Sequence, residues 1–309
     1  MNATAADSGA AIANQKRFLK LVRKRLERFV TLLPKVLVSN DPEAIHDLRV
    51  SSRRMQQALS VILPTPKPSK SKKVIRVLRQ VRQALGPCRN LDVNIALIKE
   101  KRKHAGATLV QHAWEAVQTD LDERRGLAIK RARPIIAQHD VFAFIARTKS
   151  LIKGADRDSD PVEILDQAAA QSMKTWEDAF TSAYEHRDET HLHEFRIASK
   201  RLRYRAELLA DLGQAKAKPL VAALKELQTM LGDWHDRWVL LQHVAECIGR
   251  PHFIASHPDM SRALLAEIEK EKLCTDTTID QILQNGAKVR ESLARWNPLR
   301  DETEETVAR

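Results

Sequence analysis

The chain has 309 residues, 43% of them hydrophobic and 30% charged, with a formal net charge of +12. That length allows one large core or two related halves, and no run of about 18 apolar residues marks a membrane span. Residues 1–150 hold 30 Lys and Arg against 12 Asp and Glu, and the remainder 22 against 28, so the first half is charged to meet a polyanion such as nucleic acid, an anionic surface or polyphosphate.

The N-terminus, MNATAADSGAAIANQKRF, lacks the basic, apolar and cleavage segments of a secretory signal, and a cytoplasmic location is the expectation. Cys88, Cys247 and Cys274 are odd in number and form no CxxC pair, which argues for reduced thiols and against a disulfide framework or a cysteine-based zinc site. Nine glycines and two tyrosines against abundant Ala, Leu, Lys, Arg, Glu and Gln predict an all-α protein.

The first helix is expected over about 14–39, on the spacing of Phe18, Leu21, Val22, Leu26, Phe29, Leu32 and Leu33. NDPEAIHDLRV starts the second, with Asp41 as N-cap, Pro42 at the first helical position and Glu43 in the first turn. The prolines of PTPKPSK make a short linker, and a third helix over about 70–85 is expected to stop at Gly86-Pro87, a glycine cap followed by a breaker. A fourth opens near Asn90, helical patterns continue over 108–138 and 140–152, and GADRDSDP at 154–161 is the midpoint boundary. Further helices are expected near 162–187, 190–212, 217–231, 236–249, 258–273 and 277–295. The reading is a domain over 14–295 made of two units, about 14–152 and 162–295, with flexible tails at 1–13 and 297–309.

The second half repeats the first. An offset of 147 sets His46 on His193, Arg49 on Arg196, Arg53 on Lys200, Arg54 on Arg201 and Gln56 on Arg203. An offset of 146 sets Lys72 on Lys218, Arg79 on Lys225, Arg82 on Gln228, Leu85-Gly86 on Leu231-Gly232 and Arg89 on His235. Two motifs recurring in one order indicate two tandem helical units.

His46, Arg49, Arg53 and Gln56 fall at i, i+3, i+7 and i+10, as do His193, Arg196, Lys200 and Arg203, so each set is a stripe on one helix face. Lys72, Arg79 and Arg82 share a face of the next helix, and Lys218, Lys225 and Gln228 match them. Arg89 and His235, after the Leu-Gly turns, are expected at helix N-termini, where free amides favour an anion. Most charged helix faces are simply solvated. Here acidic residues at i+4 are largely missing from 49–57 and 72–90, so the like charges go unneutralised unless a polyanion binds.

His46 and His193 fit a structural role at the helix start as well as a phosphate contact. His186, His191 and His193 cluster in sequence, but the surrounding Arg and Lys oppose a metal, and no cofactor is called for. No P-loop, Rossmann glycine pattern, nucleophile elbow or HExxH is present, and EIEKEK at 267–272 only superficially resembles the ExExK strand signature of triphosphate tunnel enzymes. Asp47, Asp92, Glu194 and Asp236 lie near the motifs and would be the carboxylates of a phosphate-processing enzyme, the less favoured alternative. Charge alone also admits weak, non-specific nucleic-acid binding, against which the 5% aromatic content counts, because single strands need stacking rings.

The twice-drawn His-x-x-Arg-x-x-x-Arg/Lys-Arg helix, each followed by a Leu-Gly-x-x-Arg/His-Asn/Asp turn, resembles the CHAD family, the conserved-histidine α-helical domains. The resemblance covers most of the chain. It implies two pseudo-symmetric four-helix-bundle units bordering a central basic pore or groove, a stand-alone binding module without catalysis, inorganic polyphosphate as ligand, and association with polyphosphate granules. Carried over by position, the lining comprises His46, Arg49, Arg53 and Arg54, with Lys72, Arg79, Arg82 and Arg89, then His193, Arg196, Lys200, Arg201 and Arg203, with Lys218, Lys225 and His235. Two departures, Gln56 opposite Arg203 and Asp233, Trp234 and Asp236 after the second Leu-Gly turn, lead to the expectation that the lower wall of the second unit contributes less.

Overall fold

The structure is a computed structural model that describes residues 2–63, 69–155, 159–273 and 275–296. The proline linker at 64–68, residues 156–158 of the midpoint boundary, Cys274 and the 297–309 tail lie outside the described residues. All regular structure among the described residues is helical, as composition predicts. The first half holds α1 (Asn2–Val38), α2 (Pro42–Ile62), α3 (Ser69–Ala84), α4 (Gly86–His104), α5 (Thr108–Ala137) and α6 (Val141–Lys153). The second holds α7 (Pro161–His186), α8 (Glu189–Asp211), α9 (Ala217–Ile248), α10 (Pro251–Ser256), α11 (Pro258–Leu273) and α12 (Thr275–Arg295).

In the first half, α1, α2, α3 and α6 pack neighbour to neighbour in a ring, and in the second α7, α8, α9 and α12 do the same. The rings meet where α1 and α2 touch α7 and α2 touches α8, so their apolar faces merge into one core. Phe29 packs on Phe144 in the first ring, and Trp176, Phe180 and Phe195 form a buried aromatic cluster in the second, with centroids 5.3–5.4 Å apart. Burying each such side chain is worth roughly 1.5–3 kcal/mol. The Trp176 indole N–H is satisfied by the buried Ser199 hydroxyl at 2.9 Å, which avoids the cost of an orphaned donor. A second, smaller core draws on both halves: Ile95 and Ile98 of α4 and Trp114 and Val117 of α5 pack with Leu240 and Val244 of α9 and Leu264 of α11.

The duplicated start signals are used twice. Asp41 accepts from the Glu43 amide at 3.0 Å and Asp188, 147 residues on, accepts from the His191 amide at 3.0 Å. Arg187, in the left-handed region at φ 53°, ends α7 immediately before that cap. Equivalent caps phase α2 and α8 alike, so the stripes five residues further on are presented in the same way.

Three local expectations are corrected. Gly86 is not a left-handed helix cap, since Gly213 alone among the described glycines has positive φ; it begins α4, four residues before the expected start at Asn90. In the second half the break at Leu231-Gly232 does not occur, and α9 runs through it unbroken. The physical difference is one residue. Pro87 lacks an amide and its ring crowds the carbonyl four residues back, which interrupts the first copy, whereas Asp233 at the matching position keeps its N–H. α1 also begins at Asn2, well before residue 14.

Candidate anion-binding site

The two stripes converge. Arg53 of α2 donates to the Tyr204 hydroxyl of α8 at 2.8 Å, with its guanidinium 5.7 Å from the ring centroid, and Arg203 stacks on that ring at 4.7 Å. Arg53 also lies within electrostatic reach of Arg49 and Arg82 in its own half and of Arg196 and Lys200 in the other. Arg89, in the first turn of α4, acts on Arg49 and His46. Gly86 lies close to Arg49, a Cβ there falling 3.4 Å from Arg49 Nη1, and the same nitrogen donates to the Arg82 carbonyl.

Some arginines outside the cluster are paired, Arg125 with Asp92 and Arg124 with Asp120 and Glu246. Among the described residues Arg49, Arg53, Arg82, Arg89, Arg196 and Lys200 form no salt bridge, Arg203 is paired with Glu207, and Asp236 is the acidic neighbour of Arg196 and Lys200. Two like charges several ångströms apart repel by on the order of 2 kcal/mol at an effective dielectric near 20. The Arg196 Nε–H is buried without a hydrogen-bond acceptor, an unsatisfied donor within the cluster.

The site resists its own charging. Burial, then Arg53, Arg82 and Arg89, lower Arg49 to about 10; burial, then Arg196 and Arg53, lower the Lys200 amine to about 7. Burial followed by Arg89 lowers His46, and burial followed by His235, Arg196 and Lys200 lowers His193. Neither imidazole hydrogen-bonds another described residue, and the His193 ring lies 5.6 Å from that of His235. The sequence-adjacent histidines separate: His186 stacks on His191 at 4.1 Å, and Asp188 holds His191. Among the described residues no group of three His, Cys, Asp or Glu could hold a metal ion.

The predicted lining is therefore partly assembled. His46, Arg49, Arg53, Arg82 and Arg89 meet His193, Arg196, Lys200, Arg203 and His235, with Arg79 beside Arg82. His235 is not at a helix N-terminus as expected, because α9 is continuous there. Arg54 and Lys225 instead line a separate cavity of about 520 Å³ among α1, α2, α8 and α9, with Arg25 and Asp211. Arg201 lines the matching groove between α7 and α8 with Glu194. Lys72 and Lys218 are exposed near the starts of α3 and α9. Of the four carboxylates named for catalysis, Asp47 pairs with Arg28 and acts on His46, Asp92 pairs with Arg125, Glu194 lines the α7–α8 groove, and Asp236 acts on Arg196 and Lys200.

The departure at Gln56 and Arg203 is one side of a compensated exchange, Arg82 and Gln228 being the other. In the first half Arg82 of α3 donates to Gln56 of α2 at 2.8 Å; in the second Arg203 of α8 donates to Gln228 of α9 at 2.6 Å. Each half keeps one arginine and one glutamine in the pair, with the helices swapped, so the second wall is not depleted in this layer. Tyr204 was not singled out from the sequence; its signal is its place one turn after Lys200 on the same stripe.

A sequence model of the CHAD domain matches residues 20–245. The fold is similar to the crystal structure of the CHAD domain from the plant Ricinus communis, at 18% identity and a TM-score of 0.63, covering 88% of this chain and 91% of that one. It is also similar to PptA from Streptomyces chartreusis, at 17% identity and a TM-score of 0.62, covering 87% and 99%. Among curated proteins none matches.

Proposed function

The chain belongs to the CHAD domain family, and we propose that it binds inorganic polyphosphate in the cation cluster between its two halves. One observation carries this reading: arginines and a lysine from α2, α3, α4 and α8 converge with more positive than negative charge, Asp236 being the acidic neighbour of Arg196 and Lys200, and the Arg196 Nε–H has no acceptor. Polyphosphate is a flexible chain with about one charge per phosphate and no bases to read. Arginine forks bind phosphate oxygens at two points, and His46 and His193 add donors once protonated. Tyr204 is occupied by Arg53 and Arg203 and offers no free face for stacking a base.

In this reading the protein is a binding module that seats itself on polyphosphate granules. The helices carry no span long and apolar enough to cross a membrane among the described residues. Calorimetric titration with long-chain polyphosphate and with single-stranded DNA of matched charge, at fixed ionic strength, tests it. Polyphosphate is expected to bind more tightly, with log K falling by about 0.7 per neutralised phosphate per decade of salt. Equal or tighter binding of DNA assigns the site to nucleic acid instead.

A further inference from the structure

Lys200 stands apart from the other lysines of the chain. It is half-buried one turn after Arg196 and one turn before Tyr204 on α8, faced by Arg53 from α2 and by Asp236 from α9, with Arg203 alongside. It makes no hydrogen bond or ion pair with any described residue. The other cations of the cluster are guanidiniums, which hold anions but are poor nucleophiles because they stay protonated. Lys200 thus places the cluster's primary amine among groups that collect phosphate.

We propose that Lys200 is a covalent modification site, acylated by small acyl phosphates that the surrounding guanidiniums hold by their phosphate group. The amine lone pair attacks the acyl carbon, the bond between that carbon and the phosphate oxygen breaks, and inorganic phosphate leaves with the electron pair. The proton released from nitrogen goes to the phosphate, so the products are an amide on Lys200 and hydrogen phosphate, with no oxidant or reductant needed. Arg53, Arg196 and Arg203 stabilise the charge that builds on the leaving group, as fixed cations do in phosphoryl and acyl transfer. Burial and these same neighbours keep a large fraction of the amine neutral near pH 7, the state a nucleophilic lysine requires. The product replaces a cation at the centre of the site with a neutral amide, so acylation would turn down affinity for polyanions.

The inference rests on the anion-binding reading for the holding of phosphate, but not on polyphosphate being the ligand. The full-length protein is incubated with acetyl phosphate at pH 7.5 and mapped by peptide mass spectrometry against time. Lys200 is expected to be acetylated at least about tenfold faster than the exposed Lys72 and Lys218, given an amine activated by burial and adjacent cations. Acetic anhydride, which has no phosphate to hold, should narrow that preference. Excess polyphosphate should suppress the reaction at Lys200 and leave Lys72 unaffected. If Lys200 reacts no faster than Lys218, or if the preference is the same with acetic anhydride, the proposal is overturned. Because the readout needs no polyphosphate binding, a Lys200 preference without protection by polyphosphate would overturn the polyphosphate reading and leave this one standing.

Discussion

Arg53 on α2 donates to the hydroxyl of Tyr204 on α8 at 2.8 Å, and this bond joins the two halves inside the cation cluster. Tyr204 is 7% exposed and lies between Arg53 and Arg203, so it positions both guanidiniums without presenting charge. Tyr204→Phe keeps the ring and removes the acceptor. Polyphosphate affinity is expected to fall roughly fivefold, about 1 kcal/mol for one hydrogen bond, with the melting temperature little changed. In an Arg53→Ala background the same substitution should have no further effect, which a double-mutant cycle measures.

The exchanged Gln56–Arg82 and Arg203–Gln228 pairs make an asymmetric prediction. Gln56→Arg alone sets two guanidiniums together and removes the acceptor for Arg82, so the melting temperature should drop. Adding Arg82→Gln restores a pair of the type seen in the second half. The double variant should regain most of the lost stability and bind polyphosphate nearly as wild type does.

The pH response has two opposite signs. Lys200 falls in the fold from its ordinary 10.5 to about 7, and His46 and His193 are also lowered. A bound polyanion favours the protonated forms, so binding takes up protons near pH 7.5 and affinity should fall as pH rises from about 6 to 8. Calorimetry in buffers of different ionisation heat reads that uptake, and zero uptake contradicts it. For the free protein, holding Lys200 charged costs stability in full below pH 7, and the cost disappears as pH rises toward 10.5. Lys200→Met should therefore stabilise the free protein most at pH 6 and have progressively less effect toward pH 10.

Gly286 in α12 marks where that helix closes on α7, because a Cβ there would run into the Phe180 ring. Gly286→Ala should cost about 1–3 kcal/mol as an overpacked core position, seen in denaturant unfolding. The cation cluster makes no contact with this point, so polyphosphate affinity under native conditions should be unchanged.

Much of this arrangement was legible in the chain. The all-α fold follows from composition, the Asp41 cap from its residue type before Pro42 and Glu43, and the stripes at 46, 49, 53 and 193, 196, 200 from spacing, because a helix of fixed pitch leaves little freedom once its start is set. Arg54 and Arg201 follow from the same geometry in reverse: one residue off the stripe is about 100° around the helix, and both line other grooves. What periodicity cannot give is what crosses between helices. The Arg53–Tyr204 bond and the exchanged Arg–Gln pairs depend on how α8 lies against α2 and α9, and no local pattern encodes that. The unbroken α9 turned on a single proline, present in one copy and missing from the other, outweighing the shared Leu-Gly.

The central claim is that the stripes exist to hold polyphosphate, and Arg49→Ala combined with Arg196→Ala tests it most directly when titrated beside wild type at one salt concentration. Affinity should fall by roughly 100-fold or more, at about 1.5 kcal/mol or more for each charged hydrogen bond lost, with the helical circular dichroism unchanged. Wild-type affinity in the double variant, with or without a loss of helicity, would contradict the account and make the stripes structural.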